Sequence, residues 1–306
     1  MSHDAGQSRK KSSGAAPISF SQDEREFKRS REYSGIVPVA SAASDMTYLR
    51  STDKMAETRA TIGVAVVIIG LIMVVSGFIL FSNDNTVFSG GPALVGAVVL
   101  LAGLISRLYY CRFDIEDRRY EFVASLLALL QVDMEENATA EIYVNFLPHN
   151  HKSKFQRKGK VGYWDANFYN DAWFSMRGRF LDGTKFSMTL LEKQQDRSRS
   201  KRSASGKLKT KTKTKNASEV IVSLKFKNKR YPNAQELASG IQQFVRLPQW
   251  AELKSVAAEG DALTLRSTTK SGWSAGNPQG KKPAHDGVGW VSMALLSLYK
   301  LLNEAK

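Results

Sequence analysis

The sequence predicts a two-helix transmembrane hairpin followed by an α+β domain with an antiparallel sheet. Residues 60–81 and 86–106 are apolar and hold no Lys, Arg, Asp, Glu or His. Helical periodicity returns over residues 113–134, and beyond it apolar residues alternate with a period of two. These three patterns give spans, an exit helix and a sheet, in that order.

Residues 1–59 are rich in Ser, Ala and charge, with few periodic apolar positions, and are expected to form a disordered cytoplasmic head. Within it Ser21 and Glu24 have capping-box spacing, and Glu24 and Lys28 stand four apart with the acid first. A short helix toward Tyr33 is expected there, carrying Phe20, Phe27 and Tyr33.

The spans have 22 and 21 residues. As helices each exceeds about 30 Å, enough to cross a hydrocarbon core. Gly63, Gly70 and Gly77 recur every seven residues in the first, as do Ser89, Gly96 and Gly103 in the second. Apolar contact alone gives no drive between helices in lipid, so stripes of small residues predict a helix-packing seam, inside the hairpin or in a homo-oligomer. Pro92 stands where a first helical turn tolerates it.

Arg50, Lys54 and Arg59 precede the first span, and Arg107, Arg112, Arg118 and Arg119 follow the second. The connection at 82–85 has Asp84 and no cation. Retention of cations on the cytoplasmic side places both termini inside, in an integral membrane protein of two spans. The first span begins too far along, and is too long, for a cleaved secretory signal. Cys111 is the one cysteine, which excludes an intrachain disulfide and suits a reducing compartment. Its juxtamembrane position also suits S-acylation.

After the spans, residues 107–306 are expected to form one cytoplasmic domain. Tyr120, Val123, Leu127, Leu130 and Met134 fall at steps of three and four, with Leu126 beside them, the pattern of an amphipathic helix. Ile142, Val144 and Phe146 then alternate in a strand, and 172–180 form another. Phe174, Met176 and Phe180 share one strand face, and Phe186, Met188 and Leu190 share a face on the next. A two-residue turn at Asp182-Gly183 would set those faces out of phase. The sequence therefore predicts a three-residue connection, 181–183, with Gly183 left-handed. Val220, Val222, Leu224 and Phe226 mark a further strand, 233–246 a helix, and 251–257 and 262–266 two short strands. Residues 268–287 read as a loop, and a final helix from Val288 presents Val291, Leu295, Leu298 and Leu302, widened by Trp290, Met293, Leu296 and Tyr299.

The strongest charge signal is a basic ribbon at 197–215. It contains Arg197, Arg199, Lys201, Arg202, Lys207, Lys209, Lys211, Lys213 and Lys215 and no acid, and from Leu208 its lysines alternate with threonines. As a strand, this segment presents lysines on one face and threonines on the other. With a formal charge of +15 over the chain, an anionic surface is the expected partner.

The bilayer itself is the first partner, and its anionic lipid headgroups, or an acidic protein, are the expected partner of the ribbon. Nucleic acid is the second reading, because Lys152, Lys154, Phe155, Arg157, Lys158 and Lys160 run into Tyr163, Trp164, Phe168, Tyr169 and Trp173, the cation-and-aromatic mixture of single-strand binders. The spans carry none of the ionisable groups of a transport path, so a small pore or effector subunit built by hairpin oligomerisation is the third. His149 and His151 are clustered but stand among lysines without a third ligand. The sequence shows no phosphate-cradling loop, nucleophile elbow or paired-carboxylate motif. A membrane-anchored adaptor or scaffold without catalytic residues, cofactor or metal is the function expected.

Overall fold

The computed structural model describes residues 20–84, 91–203, 205–227, 229–233, 245–276 and 285–305. Its helices are α1 (Glu24–Ser30), α2 (Val39–Asp84), α3 (Gly91–Tyr110), α4 (Asp117–Leu130) and α5 (Gly287–Glu304). Its strands are β1 (Glu32–Pro38), β2 (Thr139–Asn145), β3 (Phe155–Val161), β4 (Trp164–Arg179), β5 (Lys185–Arg202), β6 (Leu208–Lys225), β7 (Glu252–Glu259), β8 (Ala262–Thr269), β9 (Trp273–Ser274) and β10 (His285–Asp286).

Eight strands form one antiparallel sheet in the order β1-β2-β4-β5-β6-β8-β7, with β3 pairing β4 beside β2. Phe186, Met188 and Leu190 on β5, Val220, Val222 and Leu224 on β6, and Leu263 and Leu265 on β8 are buried. They meet the apolar sides of α4 and α5 in one core, the helix-over-sheet arrangement that period-two strands with one apolar face require. The α4 face of Tyr120, Val123, Leu126, Leu127 and Leu130 is buried throughout. On α5, Trp290, Val291, Leu295, Leu298 and Leu302 are buried, whereas Leu296 is exposed and Met293 half-buried, so the buried side is narrower than the composition suggests.

The β4–β5 connection has the expected form. Phe180 donates its amide to the Thr184 carbonyl, Gly183 donates to Phe180, both at 2.9 Å, and Gly183 has φ 84°. Met176 pairs with Met188 and Phe174 with Leu190, so both inward sets stay in phase.

Residues 20–59 depart from the disordered head. α1 is capped by Asp23, whose Oδ1 accepts from the Arg25 amide at 2.8 Å, while the Ser21 amide donates to buried Asp45 at 2.8 Å. Ser21 is thus a tie to α2 and not a cap. Tyr33 lies in β1, pairs with Val144 on β2, and donates its hydroxyl to Asp45 at 2.8 Å. Pairing with β2 satisfies a backbone that has little apolar pattern of its own. The helix beginning at Val39 then runs unbroken through the first apolar stretch, 46 residues in all. Most of the helix expected at 233–246 falls on 234–244, outside the described residues. The stretch expected as a loop contains β9 and β10, a two-residue parallel pair.

The apolar part of α2 and most of α3 are long and apolar enough to cross a membrane. Only 17% and 11% of their most apolar windows are buried within the protein, so they are not core helices. Ile68, Ile72, Phe78, Leu94, Leu101 and Ile105 stand exposed along them, a surface that water does not favour.

Candidate functional site

Two 18-residue strands, β5 and β6, extend beyond the helix-covered part of the sheet. Their ladder runs without interruption from Lys185↔Lys225 to Arg202↔Leu208. At the tip Gly206 adopts φ 75° and donates its amide to Ser203 at 2.9 Å, repeating the geometry used at Gly183.

The register opposes like charges. Arg197 faces Lys213, Arg199 faces Lys211 and Lys201 faces Lys209. On the other face Ser200 and Thr210 hydroxyls meet at 3.0 Å and Thr214 donates to Asp196 at 3.0 Å. Lysines and threonines therefore separate by face over Lys209 to Lys215. Lys215 faces Gln195, Lys207 belongs to the tip, and Arg202 lies on the threonine face opposite Leu208, so two of the nine cations leave the common face. Like charges directly opposed destabilise a ladder. Among the described residues no carboxylate pairs with any of the cations from Arg197 to Lys215.

Folding adds aromatic rings that stand apart from the ribbon in sequence. β3 and β4 turn at Gly162, with φ 59°, and lay a second hairpin beside β5. Arg157 packs over Phe168 at 4.2 Å and Arg199 over Tyr163 at 5.2 Å. Trp164, Arg199, Lys201, Lys209 and Lys211 line one open groove of about 430 Å3. The cations of the ribbon and the aromatics of 163–168 thus share a face.

The ribbon's root lies close to the end of the domain where the apolar helices leave. β5 starts near the far end of α4, where Leu181 donates to the Asp133 carbonyl at 2.9 Å. At Glu192 it reaches Arg118 in the first turn of α4, at 2.8 Å. α2 runs the same way: Val39 donates to Ala138 at the far end, and Asp53 accepts from the Ile115 amide at 3.0 Å where α3 hands over to α4.

A buried charge cluster braces this end. Arg119 is 1% exposed and bonds Glu116 and Asp171, both at 2.8 Å, and the Asn145 carbonyl. Lys154 shares Asp171 at 2.9 Å. Burial pushes the Lys154 ammonium below its ordinary value against the pull of Asp171. Burial likewise opposes the charged form of Glu116, but Arg118 and Arg119 outweigh it and hold the carboxyl low.

Between β6 and the point where β8 leaves it, at Ser218↔Thr269, a notch of about 650 Å3 opens. Arg118, Lys193, Arg197, Lys215, Lys270 and Trp273 line it. Arg118 stacks over Trp273 at 4.4 Å, and the indole Nε1–H donates to Ser218 at 2.9 Å.

No protein-family model, curated protein or solved structure matches this chain.

The seam glycines of the two apolar helices lie against one another. A Cβ at Gly70 would stand 2.5 Å from the Leu100 amide nitrogen, at Gly77 2.3 Å from that of Ala93, and at Gly96 2.6 Å from that of Val74. At Gly103 the nearest atoms belong to Val67 at 2.9 Å, and at Gly63 to Arg107 at 3.2 Å. Partners descend along α3 as they climb along α2, which makes the pair antiparallel. Ser89 lies outside the described residues.

Other candidates have local partners. His149 approaches Asp196 at 3.6 Å and His151 bonds Ser153 at 2.8 Å. Asp53, Glu57 and Asp114 bring carboxylate oxygens within 4.8 Å of one another, and Asp53 also accepts from the Tyr120 hydroxyl at 3.2 Å. Burial, reinforced by Asp117, pushes the Asp53 carboxyl up to about 7. Cys111 is exposed in a single turn after α3.

Proposed function

We propose that this chain is a membrane-anchored adaptor or scaffold: the apolar stretches of α2 and α3 span the bilayer, both termini are cytoplasmic, and the β5–β6 ribbon engages anionic lipid headgroups. The observation that carries this reading is the opposed-cation ladder, Arg197/Lys213, Arg199/Lys211 and Lys201/Lys209, rooted where the apolar helices leave the domain. A strand pair that places cations opposite one another without acids is stabilised when an anionic surface supplies the countercharge. Each cation near an anionic leaflet contributes up to about 1 kcal/mol, so six discounted ones still add several. The reach fits, since the ten residues from Lys193 to Arg202 extend about 33 Å.

Orientation follows from the cations flanking both apolar stretches. Trp164 and Tyr163 beside the cations suit a headgroup region, where amphipathic rings settle. The same juxtaposition favours a second reading, a membrane-tethered single-strand nucleic-acid binder, because stacking platforms and cations share one groove.

The test uses the full chain in nanodiscs of neutral or anionic lipid, with lysine acylation read by mass spectrometry. Protection of Lys209, Lys211 and Lys213 that appears only on anionic discs and disappears at high salt supports the headgroup reading. Equal labelling on both discs removes it. Protection by an oligonucleotide on neutral discs moves the assignment to nucleic acid, and digestion of the folded domain by external protease in intact cells overturns the orientation.

A further inference from the structure

We infer that the notch at the root of the ribbon binds a phosphoryl group, carried by a lipid headgroup or by a soluble phosphate ester. The membrane reading bears only on which source supplies the ligand.

The cations lining the notch divide into two sets. Arg118 is neutralised by Glu116 at 2.6 Å and Glu192 at 2.8 Å, and Lys193 by Glu219 at 2.8 Å. Among the described residues the Arg197 side chain bonds the neutral Gln195 side chain, at 2.5 Å from Nη2, and no carboxylate pairs with Arg197, Lys215 or Lys270. Three uncompensated cations therefore face one cleft whose one lining carboxylate among the described residues, Glu192, is already engaged by Arg118.

The remaining lining supplies donors for several acceptor oxygens at once. Asn216 and Ser271 border the cleft, whereas the Thr214 hydroxyl there is already given to Asp196, and β8 has left β6 beyond Ser218, so the β6 edge carries no strand partner there among the described residues. A guanidinium together with two flexible ammoniums suits a tetrahedral, multiply charged oxyanion. Trp273 is a fixed wall: its ring lies under Arg118 and stacks on Trp173 with centroids 6.3 Å apart at 22°. The cleft has the volume of a small-ligand site.

Full-length chain in neutral nanodiscs is titrated calorimetrically with inorganic phosphate and with glycerol phosphate. Discs containing phosphatidic acid are followed by phosphorus NMR. Saturable binding of at least one probe, one per chain, is expected. Replacing Arg197, Lys215 and Lys270 together by Gln is expected to weaken it about tenfold or more, equivalent to about 1.4 kcal/mol. Lys270→Gln alone, at an exposed side chain, should weaken it measurably with an unchanged unfolding midpoint.

Lys209→Gln with Lys211→Gln, at the ribbon's outer part, should leave this binding intact while abolishing protection on anionic discs, which separates the notch from the headgroup reading. Binding of a soluble probe assigns a soluble ester, and binding of phosphatidic acid alone assigns a headgroup. Absence of saturable binding by all three probes, or equal weakening by both sets of substitutions, overturns the assignment.

Discussion

Arg199 and Lys211 face each other across the β5–β6 ladder, two cations where a self-sufficient hairpin would place an opposite-charge or β-branched pair. Replacing Lys211 by Glu turns the repulsion into an attraction worth about 0.2–1 kcal/mol. Amide hydrogen exchange around 197–213 is expected to slow while protection on anionic discs falls. Faster exchange in Lys211→Glu would mean that the ladder does not carry the strain assigned to it.

The glycine seam yields a graded series. Gly70→Ala and Gly77→Ala push a methyl to 2.5 and 2.3 Å from backbone nitrogen of α3, whereas at Gly91 a methyl meets nothing within 4 Å. Overpacking costs about 1–3 kcal/mol, which exceeds the gain of about 1 kcal/mol that Ala brings to a helix. The unfolding midpoint in detergent should fall for the first two and hold for Gly91→Ala. Gly63→Ala, at 3.2 Å, should lie between them.

Asp53 gives a pH dependence of defined sign. Its carboxyl is raised by burial to about 7 in the folded protein, against an ordinary value of about 4. Between those limits the folded state holds a proton that the unfolded chain has lost, so the contribution to stability is full below about 4, declines as pH rises, and is gone above about 7. Compared with Asp53→Asn, the parent protein should therefore lose relative stability across that window. A difference between the two melting curves that stays flat with pH would refute the assignment.

Asp171 holds two buried cations, Arg119 at 2.8 Å and Lys154 at 2.9 Å. Asp171→Asn leaves both without their shared carboxylate, and removing one partner from a buried ionic group costs about 3–5 kcal/mol. Chemical denaturation of the full chain in detergent should show a loss of that size. A loss below about 1 kcal/mol, the level of a surface ion pair, would mean that water reaches the cluster.

Much of this architecture was legible where physical constraints leave a single solution. The phase of Phe174, Met176, Phe186 and Met188 admits only an odd-length turn, and Gly183 supplies its left-handed residue. The N-terminal half of α2 carries a weaker signal. Val39, Ala42, Met46, Leu49, Asp53 and Ala56 are all buried at steps of three and four, but two are alanines and one is an acid, so a hydropathy reading passes over them. β1 left little signal, because Tyr33 is its one fully buried residue and Ile36 is exposed, and it forms by borrowing the edge of β2. The meeting of Trp164 with Arg199 and Lys211 depends on two separate hairpins lying side by side, a long-range relation that local periodicity does not encode.

Under the proposed membrane anchoring, the unbroken course of α2 ties the domain's posture to the bilayer. From Met46, Arg50 and Asp53, which contact the body, to Gly77, the last of the glycines that grip α3, it runs about 47 Å without a hinge. A change of tilt in a thicker or thinner membrane would swing the whole sheet as a rigid lever, raising or lowering the ribbon tip without altering a single contact inside the fold.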